Sequence, residues 1–69
     1  MKIVKLIEDE FPFMYKGTVT FYKKGELFEV IEEKDMKCMG LGYKLRNLRF
    51  SVVFEGFSNA KSFEVTRHD

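Results

Sequence analysis

The 69 residues predict an all-β domain: a small, strongly bent antiparallel barrel of five to six short strands. Three observations carry this expectation. Short runs rich in Val, Ile, Thr, Phe and Tyr recur along the chain, and these residue types suit a pleated, half-buried surface. The runs Phe50-Ser51-Val52-Val53-Phe54 and Ser62-Phe63-Glu64-Val65-Thr66 carry their apolar residues at period two. Turn formers separate the runs, at Gly17, Gly25, Gly40, Gly42, Asn47 and Gly56.

Taken in order, Met1 to Ile7 is short and β-branched, as an opening strand is, and Glu8-Asp9-Glu10 interrupts it. Pro12 fixes its own φ and restricts its predecessor, which argues against a strand interior there. Phe13 to Lys16 leads to a turn at Gly17, and Thr18 to Tyr22 is a second β-rich run closed by Lys23-Lys24-Gly25. Leu27 to Glu32 reads two ways. Leu27, Val30 and Ile31 sit at helical spacing with helix formers after them, while the Phe, Val and Ile content favours a strand. We read a strand, with Glu33 to Gly42 as a loop whose order the sequence leaves open. Tyr43-Lys44-Leu45-Arg46 alternates apolar and basic. Phe50 to Phe54 is the strongest strand signal in the chain. Gly56 to Lys61 reads as a turn, or one turn of 3₁₀ helix, and Ser62 to Thr66 closes the domain. The expected core is Phe28, Val30, Leu45, Phe50, Val52, Phe54, Phe63 and Val65.

The segment Lys24-Gly25-Glu26-Leu27-Phe28-Glu29-Val30-Ile31-Glu32 resembles the Lys-Gly-x-x-aromatic-Glu-Val-Ile-Glu stretch of small SH3-like barrel proteins of bacterial and phage genomes. Tyr43-Lys44-Leu45 and Phe63-Glu64-Val65 match that pattern's later elements in order. The resemblance implies an SH3-like barrel and, with the small size, a phage or prophage product that modulates a host protein. It carries no shared chemistry, so function has to come from sites.

Sixty-nine residues hold one domain, taken as 1–66, with 67–69 a frayed end. A chain this short buries only about 60% of the surface its unfolded form exposes. With Cys38 the sole cysteine, no intramolecular disulfide can help, and we expect it to act as a small buried or half-buried hydrophobe. The core must therefore come from eight Phe and three Tyr. Each buried Phe contributes roughly 1.5–3 kcal/mol, against an ordering cost of about 1.5 kcal/mol per residue. So thin a margin leaves room for a homodimer or a partner that shares the load. Twelve basic against eleven acidic residues argue against a strongly basic nucleic-acid binder, though not against a local patch. No run approaches the ~20 apolar residues of a membrane span, and the N-terminus lacks the apolar stretch of a signal peptide. The expectation is a cytoplasmic protein without membrane contact, in the host cytoplasm if phage-encoded.

Catalytic groups are sparse. His68, the only histidine, lies at the chain end with nothing to orient it. Cys38 has no obvious base. Glu8-Asp9-Glu10 and Glu32-Glu33 with Asp35 lack metal-loop spacing, and Gly40-Leu41-Gly42 lacks a phosphate-loop context. We expect no enzyme, no metal and no cofactor.

Two surfaces remain. Phe11, Phe13, Tyr15, Phe21 and Tyr22 crowd twelve residues, more rings than so small a core readily absorbs. Phe11, Phe13, Tyr15 and Tyr22 are the candidates for a protein interface, since amphipathic rings suit one. The other reading makes these rings core at the barrel ends. A polyproline groove relies on a Trp, which this chain lacks. The second surface is a basic strip of Lys44, Arg46 and Arg49, joined by Lys23 and Lys24, which could follow a nucleic-acid backbone. Equally, Glu29, Glu32 and Glu33 on the neighbouring strand could neutralise it. The function expected is a non-enzymatic protein-binding module; a nucleic-acid-binding accessory protein is the alternative.

Overall fold

In a computed structural model, which describes residues 1–68, the chain is all-β, with two antiparallel sheets and no α-helix among those residues. Seven strands follow one another: β1 Lys2–Leu6, β2 Glu10–Tyr15, β3 Thr18–Lys23, β4 Leu27–Asp35, β5 Leu41–Asn47, β6 Ser58–Asn59 and β7 Phe63–His68. Five of them form a sheet in the order β6-β5-β4-β1-β7, and β2 pairs only with β3 in a separate hairpin. The sheets do not close into a barrel. No helix among the described residues is long and apolar enough to cross a membrane.

The hairpin forms because its turn chemistry is local. Lys16 and Gly17 both have positive φ, 50° and 78°, the signature of a two-residue type I′ turn. That turn pairs Tyr15 with Thr18 and so sets the register back to Glu10 opposite Lys23. The Lys24–Gly25 turn joins the hairpin to the sheet. Gly25 sits at φ 99°, donates its N–H to the Leu6 carbonyl at 2.8 Å, and returns the chain alongside β1.

The core lies between the hairpin and the large sheet. Val4 and Leu6 of β1, Phe28 of β4, Tyr43 and Leu45 of β5 and Phe63 of β7 meet Phe13 and Tyr22 of the hairpin, with Phe54 among them. Phe13 is its centre. Its ring centroid lies 4.6 Å from Phe54, 4.9 Å from Phe28 and 5.6 Å from Tyr22. Such offset and edge-on pairs add to area burial by about 0.5–1.5 kcal/mol each.

β4 settles the helix-or-strand ambiguity as a strand, and it is longer than expected. The register slips between Val30 and Glu32, so Ile31 is the extra residue of a bulge and projects to solvent. Beyond it, Glu33–Asp35 pairs with Leu41–Tyr43, so half of the expected loop belongs to strands. Only residues 36–40 turn, through a short 3₁₀ segment at Lys37–Met39, and Cys38 is exposed there rather than buried.

Other expectations are corrected. Pro12 lies inside β2, opposite Phe21 on an outer edge where the ladder asks for no N–H. Phe50 to Phe54 is not a strand. Residues 48–50 turn, Ser51 takes positive φ at 57°, and only an isolated bridge joins Val53 to Arg46. Phe50 therefore points outward, 59% exposed, while Phe54 is buried and Val52 half-buried. Val65 pairs with Val4 but stays 45% exposed on β7, an edge strand. Ile3, Val4, Leu6, Phe13, Tyr22 and Tyr43 are buried residues absent from the expected core. Arg67 and His68, read as a frayed end, pair with Ile3 and Lys2 as the last residues of β7.

Candidate functional site

The β2–β3 hairpin has two unlike faces. Alternation along each strand sends Phe11, Phe13 and Tyr22 toward the core, Phe13 and Tyr22 fully and Phe11 by half. Phe11 rests on Phe13 and Phe63, at centroid distances of 5.1 and 5.7 Å. The opposite face carries the cross-strand pairs Pro12–Phe21 and Met14–Val19. All four of those side chains are exposed, Phe21 to 58%. Side chains directly opposite in an antiparallel pair touch, so these four make one continuous apolar patch. Among the described residues, no other strand covers it.

Of the interface residues expected from sequence, the structure thus puts Phe13 and Tyr22 in the core and leaves Phe11 half-buried. Tyr15 is exposed at the hairpin tip, where the Lys16 ammonium lies 5.4 Å from its ring centroid. Sequence reasoning passed over Phe21, Met14, Val19 and Pro12. The signal was available: a two-residue turn at Lys16-Gly17 makes partner numbers sum to 33, which sets 12 against 21 and 14 against 19.

Burial holds the Tyr22 hydroxyl above the ordinary tyrosine range, with Glu26 adding to the rise and Arg49 opposing it. Its folded value thus exceeds its unfolded value of about 10. As pH rises, the unfolded state loses this proton first. The stabilisation is complete below about pH 10 and is lost as pH climbs through the raised folded value. Tyr22→Phe is expected to lose stability less steeply than the parent above that pH, as read by urea titrations at a series of pH values.

The basic strip is dispersed, and its two arginines are held by acids. The Arg46 guanidinium is hydrogen-bonded to Glu29 across the β4–β5 pair. Arg49 reaches Glu26 at 3.1 Å and lies 4.7 Å from the Phe50 ring centroid. Lys44 faces Glu32 in register, and Lys23 faces Glu10. Lys24 follows Lys23 at the far end of the hairpin. Ion pairing across the sheet is the outcome the glutamates of β4 allowed.

A second exposed feature is the turn after β5. Asn47 is fully buried, and its side chain organises that turn. Its Oδ1 accepts from the Phe50 N–H at 2.9 Å, and its Nδ2 donates to Glu26 Oε2 at 2.8 Å. Phe50 is thereby presented on an ordered loop. Beside it Gly25, Glu26, Leu27, Leu48 and Arg49 line a shallow hollow, whose two charges already pair with each other.

Among the described residues, no three His, Cys, Asp or Glu side chains are grouped so as to hold a metal ion. Fold and surface together define a small all-β domain with an uncovered apolar hairpin face. No family model, curated protein or solved structure matches the chain.

Proposed function

We propose that this protein is a non-enzymatic binding module that recognises a protein partner through the β2–β3 hairpin. The observation that carries the reading is the outward quartet Pro12, Met14, Val19 and Phe21, four exposed apolar residues in adjacent cross-strand pairs that no other strand covers among the described residues. Contiguous exposed apolar patches on small domains mark interaction surfaces. Tyr15 is also exposed at the tip, but it shares the parity of Phe11 and Phe13, so its ring lies on the other face of the hairpin and the quartet carries the reading by itself.

The order of elements supports the SH3-like reading. β1 lies between β4 and β7, a long hairpin separates β1 from β4 in the chain, and a 3₁₀ turn at Ala60–Ser62 precedes the last strand. The nucleic-acid alternative is less well supported, because Arg46 and Arg49 are held by carboxylates.

The test is affinity capture from cell lysate with the intact protein, with and without nuclease. A bound protein is expected to survive nuclease and moderate salt, and to be lost with Met14→Ser/Phe21→Ser. Exposed positions such as these change stability by about 0.5 kcal/mol or less, so the variant keeps its fold. A catch that vanishes with nuclease, or falls steeply with ionic strength, would favour nucleic acid instead.

A further inference from the structure

The two edges of the hairpin are not equivalent. In a type I′ hairpin the residues flanking the turn exchange both backbone hydrogen bonds, and pairs then alternate along the ladder. Tyr15–Thr18, Phe13–Thr20 and Phe11–Tyr22 are therefore the bonded pairs, and the backbone groups of residues 12, 14, 19 and 21 point away from the hairpin. Two observations agree with this parity. The Met14 carbonyl accepts from the Glu55 N–H at 2.9 Å, and Pro12, which has no N–H, occupies an outward position.

The β2 edge is consequently closed, by a proline and by the Glu55 backbone. Among the described residues, nothing closes the β3 edge: no backbone group of Thr18 to Tyr22 bonds to a segment other than β2. Thr-Val-Thr-Phe-Tyr has high strand propensity and no charge, so it lacks the devices that keep an edge from pairing.

We infer that the β3 edge accepts an extended segment of a partner protein as a third, antiparallel strand of the hairpin. The inference rests on the protein-binding reading and names the partner's chemistry. The N–H and C=O of Val19 and Phe21 supply four hydrogen bonds to the segment. Its residues opposite Phe21 and Val19 fall on the outward face, where apolar side chains extend the Pro12–Phe21 and Met14–Val19 patch. The residue opposite Lys23 falls on that same face. Among the described residues, no carboxylate lies within ion-pair distance of the Lys23 or Lys24 ammonium, Glu10 facing Lys23 in register from the β2 side. An acid is matched there and a base is repelled. Because the segment runs antiparallel, it reads from its N-terminus acid, any residue, apolar, any residue, apolar. A second copy of this chain meets the edge less well. Turned about Thr20 to pair Val19 with Phe21, it would set Lys24 against Lys16 at both ends, with no acid in the strand to match them.

The probe is the acetylated, amidated heptapeptide Ser-Glu-Thr-Val-Thr-Ile-Ser, titrated into the intact ¹⁵N-labelled protein. Backbone amides of Val19 and Phe21 are expected to shift and to exchange with solvent at least tenfold more slowly. A peptide N-methylated at Val and Ile is expected to lose binding, and one with Lys in place of Glu to bind severalfold more weakly at low salt. Phe21→Pro, or Val19→Lys if the proline variant does not fold, is expected to abolish the shifts. No perturbation at about 1 mM peptide, a concentration that detects even millimolar affinity, overturns the inference. So does binding that survives N-methylation, or amides already protected in a concentration-dependent way without peptide, which would mean a second copy. A lysate partner that is lost with Met14→Ser/Phe21→Ser yet retained by Val19→Lys overturns strand addition alone and leaves the hairpin interface standing.

Discussion

Phe13→Ala is expected to unfold a large fraction of the protein at room temperature. Five other rings surround this one: Phe11, Tyr22, Phe28, Phe54 and Phe63. Truncating a fully buried Phe costs about 3–5 kcal/mol, through lost burial and the cavity left behind. A chain of this length has only roughly 3–10 kcal/mol in total, at 0.05–0.15 kcal/mol per residue. Phe13 also joins the hairpin to the large sheet, so its loss loosens the layer that carries the proposed binding face. Urea unfolding followed by far-UV circular dichroism checks this, with Phe21→Ala as control. That exposed ring should cost about 0.5 kcal/mol or less. If Phe13→Ala stays within about 1 kcal/mol of the parent, the aromatic core does not hold the hairpin down.

The second large effect is expected at Asn47. Its buried amide joins Glu26 to the Phe50 backbone, and its own N–H and C=O bond to Val52 and Ser51. Asn47→Ala removes both side-chain bonds and leaves the Phe50 N–H without its acceptor, at a cost of about 2–3 kcal/mol. Asn47→Asp is the more informative change. It keeps an acceptor for Phe50 but sets a second carboxylate against Glu26, which holds Arg49 at 3.1 Å. Two facing carboxylates repel when both are ionised. This variant should therefore be less stable than the parent at neutral pH and recover as the pH falls into the carboxylate range. Thermal melts at pH 7 and pH 4 measure it, and an unchanged gap between parent and variant would contradict the assigned contact.

The strand content was legible because its signals are local. Thr18 to Tyr22, Tyr43 to Arg46 and Phe63 to Thr66 declare themselves by β-branched or alternating residues, and all lie within strands. The Glu29–Arg46 pairing was foreseen as one outcome because period-two spacing puts opposite charges on one face of adjacent strands. Two failures have the same root. Phe50-Ser51-Val52-Val53-Phe54 has strand composition, yet Asn47 turns the chain at 48–51 and its pairing shrinks to one bridge. Pro12 was read as a breaker because the sequence does not say whether its nitrogen faces a neighbouring strand or open space. The proposed face was missed for a related reason. Phe13 and Phe21 are alike in composition, and only the turn's register sends one inward and the other out.

Taken alone, the sequence determined that this protein is built of short strands, since side-chain alternation and turn preference depend on a few neighbouring residues. It also determined that aromatic rings must supply the interior, because the chain has no disulfide to rely on. Which rings do so was decided by the tertiary structure. Phe13 and Phe21 take opposite fates because the hairpin lays one face on the sheet and leaves the other bare, and that choice depends on segments distant in the chain coming together.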